Sequence, residues 1–255
     1  MANPKYIIDA HVHIGLTEKI ERYFTLEDFL RIMDSEHIDC AVVMPNVSSE
    51  ISESILNKEL LFEYAKLPDE LRLRIFPFIL ISTRDTETYD QAMDPCVWGL
   101  KIHPSISQIP VGEAWEVFFY VADERKLPII VHCGRDPRSH VSRLIETARL
   151  YPHVNFIGAH LGGNASELID EAIGLVERAG LGNLYLDTSA VKLPFLIEKA
   201  VRKLGADKII FGSDEPYSDL RLSRHCLDLL EISEKQMDLV AHQNISTILG
   251  GVKHV

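Results

Sequence analysis

Two stretches, Pro128-Ile-Ile-Val-His132-Cys-Gly134 and Asn155-Phe-Ile-Gly-Ala-His160-Leu-Gly-Gly163, flank a helical segment, Ser139–Leu150, that stops before Pro152. Each is a short continuous apolar run closed by a histidine. Continuous runs of this kind suit parallel strands covered on both faces, and strand–helix–strand order is the unit that makes strands parallel. The unit repeats: His132 to His160 is 28 residues, His160 to Asp187 is 27, and Asp187 to Asp214 is 27, each near the end of an apolar run. Working toward the amino end, the further runs are Tyr6–Val12, Cys40–Met44, Ile75–Ile81 and Val97–Ile102. With Pro128–Val131, Asn155–Ala159, Leu184–Leu186 and Lys208–Phe211 they make eight. Eight βα units in one chain predict a closed (β/α)8 TIM barrel, an α/β fold forming a single domain over residues 1–255. An open doubly wound sheet would carry a glycine-rich turn after its first strand, and Asp9-Ala-His-Val-His13 is no such turn.

The helices fall between the runs. Leu26–His37 follows Thr25, with Asp28 placed to complete a capping box. Ile51–Lys66, Val111–Arg125, Ala165–Ala179 and Pro194–Leu204 follow, the last with Pro at its start and Gly205 just past its end. Ser233–Leu249 closes the series, with Ser233 and Gln236 as a second capping box and Gly250 as its stop.

Composition narrows the classes. The 255 residues are about the size of one such barrel. A net charge of −12 repels phosphate backbones and anionic membranes, which excludes nucleic-acid and polybasic membrane partners. No apolar stretch is long enough to cross a bilayer, and the run Tyr6-Ile-Ile is too short for a secretory signal. Cys40, Cys96, Cys133 and Cys226 are widely spaced and read as reduced thiols, the usage of a cytoplasmic protein.

Barrels of this kind build their sites at the carboxyl ends of the strands. The residues standing there are His11-Val-His13, Lys101-Ile-His103, His132, His160, Asp187 and Asp214. Strand side chains alternate, so His11 and His13 point together into one space while Val12 points out; likewise His132 faces in and Cys133 out. Imidazoles with one carboxylate, and no inward thiolate, suit Zn2+ or another borderline divalent ion such as Mn2+.

With Gly99-Leu-Lys-Ile-His-Pro104, Val131-His-Cys-Gly134, Gly158-Ala-His-Leu-Gly-Gly163 and Phe211-Gly-Ser-Asp-Glu-Pro216, the whole chain resembles the amidohydrolase superfamily. More narrowly it resembles the amidohydrolase-related branch that includes aminocarboxymuconate-semialdehyde-decarboxylase-like enzymes. The resemblance implies that His11, His13, His132 and Asp214 ligate one metal, with Asp214 and His160 catalytic. If the centre is binuclear, Lys101 (carboxylated) and His160 join the ligands; one ion is the expectation. Possession of a metal-activated water implies a hydrolase of a small amide, ester or lactone. The alternative on the same scaffold is a non-oxidative decarboxylase of an unsaturated or aromatic carboxylate. A homodimer is expected from the resemblance alone.

Substrate contacts are expected from Lys101, Arg135 and His103. Asn46 and Tyr217 are weaker candidates, Arg84 reads as solvated, and Asp187 either faces substrate or bonds loop amides.

Overall fold

A computed structural model describes residues 4–17 and 22–254. In chain order the elements are β1 (Ile8–Thr17), β2 (Arg22–Phe24), α1 (Leu26–Ser35), β3 (Cys40–Pro45), α2 (Glu53–Ala65), α3 (Asp69–Arg72), β4 (Ile75–Leu80), α4 (Glu87–Gln91), β5 (Gly99–Ile102), α5 (Pro104–Ser107), α6 (Glu116–Arg125) and β6 (Ile129–Val131). They continue with α7 (Val141–Leu150), β7 (Phe156–Gly158), α8 (Ser166–Ala179), β8 (Leu184–Asp187), α9 (Pro194–Leu204), β9 (Ile209–Ile210), α10 (Leu220–Asp228), α11 (Glu234–Asp238) and α12 (Asn244–Leu249). Eight strands run parallel in the order β1-β3-β4-β5-β6-β7-β8-β9, with β2 added antiparallel on the outer part of β1. The first and last strands of the run meet: Ala10 N–H donates to Phe211 O at 3.0 Å, Asp214 N–H to His11 O at 2.9 Å, and Val12 bridges Glu215 in parallel. This is the α/β barrel that the repeat predicts.

Alternation sorts the strand residues into two cores. Ala41, Val43, Ile129, Val131, Leu184 and Leu186 pack outward with helix residues such as Phe119, Leu144 and Ile173. Val42, Met44, Phe78, Ile130, Ile157 and Ile210 fill the interior, joined by Ile245, Ile248 and Leu249 of α12. This is the layered filling that makes such a barrel a core rather than a pore.

β1 breaks the rule at the functional place. Its register against β3 pairs Asp9 with Ala41 and Val12 with Val43, three steps against two. Ala10 therefore lies in the inner core while Val12 and Ile14 lie in the outer one. Without this bulge, the phase set by Ala10 would send His11 and His13 into the helix layer. The bulge turns both inward, the re-aiming that such insertions perform. Asp9 holds it: one buried carboxylate oxygen accepts from His11 N–H (3.1 Å) and Ser213 N–H (2.9 Å), tying β1 to the segment after β9.

Both capping boxes form, at Thr25/Asp28 and Ser233/Gln236. The expected helix Val111–Arg125 forms only from Glu116. Gly112 (φ 86°) and Ala114 (φ 62°) hold left-handed backbone that no helix continues through. The expected Ser233–Leu249 helix is interrupted by a π turn, Leu239–Gln243, where Val240 O accepts from Phe211 N–H at 2.9 Å. The additional α10 begins at Leu220, whose N–H donates to the Glu215 carboxylate at 2.6 Å. Among the described residues, no helix is long and apolar enough to cross a membrane.

Candidate metal centre and its cavity

The strand ends converge on a cavity of about 360 Å3, lined among others by His13, Lys101, His103, His132, His160 and Asp214. At its floor His11 Nε2 and His13 Nε2 lie 3.1 Å apart, and an Asp214 carboxylate oxygen lies 3.6 and 3.4 Å from them. These are the ligand atoms of the one buried group of three metal-binding side chains found among the described residues.

Each ring has its other nitrogen committed. His11 Nδ1 meets the Asp187 carboxylate at 2.8 Å, and His13 Nδ1 meets the carbonyl of Pro45 at 3.2 Å. Both partners only accept, so both Nδ1 atoms carry hydrogen and both Nε2 atoms present lone pairs. Two lone pairs and a carboxylate facing one another in a buried space are the donor set of a divalent cation, and the residues present fit one. Burial, then the nearby Lys101, lowers the His11 ring to about 4. Burial lowers His13 too. Both stay neutral and able to ligate at neutral pH. Burial alone would raise the Asp214 carboxyl, but the imidazoles packed around it, His13 first and then His160 and His11, outweigh it and hold it well below the usual range.

The amidohydrolase family model matches residues 8–251. The chain belongs to the amidohydrolase family. No protein of curated function matches this amidohydrolase. Among solved structures it is similar in fold to a dihydroxybenzoic acid decarboxylase from Polaromonas sp. JS666, with bound manganese and 2-nitroresorcinol, at TM-score 0.76, 16% identity and coverage of 98% and 97% of the two chains. It is likewise similar to 5-carboxyvanillate decarboxylase from Novosphingobium aromaticivorans, complexed with manganese and 4-hydroxy-3-methoxy-5-nitrobenzoic acid, at TM-score 0.78, 13% identity and 96% coverage of each. A 2,6-dihydroxybenzoate decarboxylase from Rhizobium matches at TM-score 0.73, 16% identity and 98% and 99% coverage.

In this amidohydrolase His132 lines the cavity but stands outside the trio. Its Nδ1 is 3.2 Å from His160 Nε2, and its ring lies flat on His103 with centroids 4.0 Å apart and planes 11° apart. Burial pushes both stacked rings well below the ordinary histidine value. His160 is turned toward the β8 loop: its Nδ1 reaches Ser189 Oγ at 2.8 Å and Ser189 O at 3.1 Å. Its backbone (φ 60°), like that of Asp214 (φ 72°), is left-handed, a strain that clusters at functional sites.

Lys101 is fully buried, with Nζ 3.0 Å from His11 Nε2. Burial brings its ammonium down to about 8. Lys101 and His160 are thus directed at His11 and at the His132–Ser189 line respectively, not at a common second point.

Arg135, expected at the substrate, is exposed and absent from the cavity wall. It follows Gly134 in the loop before Pro137 and points to solvent. Arg84 is exposed, as its solvated reading implies. Asn46 instead clips β1, its amide donating to Gly15 O and Thr17 Oγ1. Tyr217 does line the cavity, with its ring edge-on to His13 at 5.4 Å. Asp187 accepts from the loop amides of His160 and Ser189 and also from His11. Sequence reading missed Asp9 and Ser189. Asp9 had a signal, as an acid two residues before a strand-end His-X-His; Ser189 had none.

Proposed function

We propose that this amidohydrolase is a divalent-metal-dependent, non-oxidative decarboxylase of a small aromatic or unsaturated carboxylate. The observation that carries the reading is Lys101: a buried ammonium at the cavity floor, beside the ligand trio, where it can pair with an anionic substrate group. The flat His103–His132 stack beside it suits a planar conjugated substrate. The three structural relatives named above act on aromatic carboxylates, which favours decarboxylation over hydrolysis of an amide, ester or lactone. Hydrolysis rests on family membership alone.

His11, His13 and Asp214 would hold the ion, with His132 available from the same cavity, and a single ion fits the single trio. When bound, the ion would supply Lewis-acid stabilisation of negative charge on substrate oxygens. Either Zn2+ or Mn2+ suits these donors. The chain's own part is proton placement. Loss of carbon dioxide breaks the carbon–carboxylate bond and leaves its electron pair on carbon, so one proton must replace it. At neutral pH His11, His13, His103 and His132 are neutral and Asp214 is ionised, while Lys101 holds an acidic proton. Lys101 therefore pairs with the carboxylate and then protonates the carbon.

The test is carbon dioxide release by Mn2+-loaded protein from a panel of hydroxybenzoates and unsaturated carboxylates, run beside amides, esters and lactones. Carbon dioxide from the first group supports the reading. Ring opening or ester cleavage without carbon dioxide overturns it.

A further inference from the structure

Asp187 is fully buried and never reaches the cavity wall, yet four donors converge on it. One oxygen accepts from His160 N–H at 2.9 Å, Ser189 N–H at 3.0 Å and the Ser189 hydroxyl; the other faces His11 Nδ1 at 2.8 Å. A carboxylate cannot donate, so the direction of every bond is set from this end. The Ser189 hydroxyl gives its hydrogen to Asp187, which leaves its oxygen to accept. His160 Nδ1 faces that oxygen and the Ser189 carbonyl, both acceptors, so Nδ1 holds the ring's hydrogen. A ring with one hydrogen then has none for Nε2, and His132 Nδ1, 3.2 Å away, must donate to it.

We propose that Asp187 is a positioning residue that, through its direct bond to His11 and its hold on the Ser189 loop, fixes the tautomers of His11, His160 and His132, leaving Nε2 of His11 and His132 without a proton. One carboxylate thereby prepares a trio nitrogen and, along a hydrogen-bonded line through Ser189 and His160, a second imidazole of the cavity. The inference deepens the metal-centre reading and rests on it only for the consequence for ion binding.

Asp187→Asn separates the roles sharply. An amide with its oxygen toward the three loop donors turns its NH2 toward His11 Nδ1. That demands the Nε2–H tautomer, which has no lone pair to offer an ion. The experiment is ring-15N spectroscopy of the histidines in the metal-free full chain, with Mn2+ binding followed by electron paramagnetic resonance. Expected in the parent are Nδ1–H rings at His11, His132 and His160. Asp187→Asn should convert His11 toward Nε2–H and weaken Mn2+ by about 10–100-fold, the usual effect of removing a ligand's support. Ser189→Ala, which removes the hydroxyl but leaves the direct Asp187–His11 bond, should keep His11 as Nδ1–H. Nε2–H at His11 or His132 in the parent, a doubly protonated His160, or parent-like Mn2+ affinity in Asp187→Asn would each overturn the proposal. If Asp187→Asn does not fold, the parent spectrum decides. Predicted tautomers without Mn2+ binding would support the relay and overturn the metal reading alone.

Discussion

Lys101 Nζ stands 3.0 Å from His11 Nε2, a buried amine beside a nitrogen poised to ligate a cation. On the function proposed above, activity and stability therefore oppose each other at this position. Lys101→Met removes a buried charge and the repulsion it exerts on an incoming ion. The variant should melt higher than the parent and bind Mn2+ more tightly, while turnover of the carboxylate falls by about 100-fold or more through loss of the proton donor. Calorimetry, Mn2+ titration and carbon dioxide release read the three effects. A variant that keeps parent turnover removes Lys101 from the chemistry.

Much of this geometry is legible in the chain. The spacing of His132, His160, Asp187 and Asp214 reports the βα period directly, because each residue ends one unit of a repeating fold. The inward pairing of His11 and His13 is also predicted correctly, but simple alternation is not the whole cause. The phase of Ala10 opposes it, and the Asp9-held bulge restores it. The sequence does not show where a loop side chain turns. Arg135 and Asn46 look alike as polar residues after strands, yet one faces solvent and the other staples β1. His132 and His160 are equally placed at strand ends, and only the tertiary structure shows that they face each other at 3.2 Å and that His160 also reaches Ser189. The π turn in the last helix is likewise invisible locally, since it answers to Phe211, far away in the chain.

Acid should unfold the metal-free protein early. Burial holds His11, His13, His103 and His132 below their ordinary value in the folded chain. The unfolded chain protonates such rings at about pH 6.5, so unfolding takes up protons below that point and stability falls. The fall continues until the folded rings titrate, which for His11 is at about 4. Urea midpoints measured stepwise from pH 8 to pH 4.5 should be level at first and then decline below about 6.5. Replacing His103 and His132 with Gln should flatten the decline. Midpoints that hold or rise on acidification would contradict this account.

Thiol chemistry should pick out one cysteine. Cys96 is exposed, while Cys40, Cys133 and Cys226 are buried. Burial, with the nearby Asp187 charge, pushes the Cys133 thiol up to about 12. Since the thiolate is the reactive form, Cys133 stays inert despite its place next to His132. A thiol reagent applied to the native protein should modify Cys96 first and the other three only after denaturation, as peptide mapping would show. Rapid native labelling of Cys133 would mean that the strand end opens.

Arg125 carries a structural load that its position conceals. At the end of α6 it resembles an ordinary solvated C-terminal cation, yet it is fully buried. Its guanidinium donates to the carbonyls of Ala92, Asp94, Val97 and Lys253, and its own carbonyl accepts from Lys253 N–H at 2.7 Å. One side chain thus fastens the segment before β5 and the carboxyl-terminal tail to the helix layer. Arg125→Met keeps the apolar stem but strips the buried carbonyls of their donor, at about 1–3 kcal/mol for each left unsatisfied. The expected loss is about 3 kcal/mol or more in denaturant unfolding, while Mn2+ affinity of the folded fraction is unchanged because the site lies at the strand ends. Lysine should recover only part of the loss, since a single ammonium cannot span all of these carbonyls. An Arg125→Met protein as stable as the parent would show that water replaces the guanidinium without penalty.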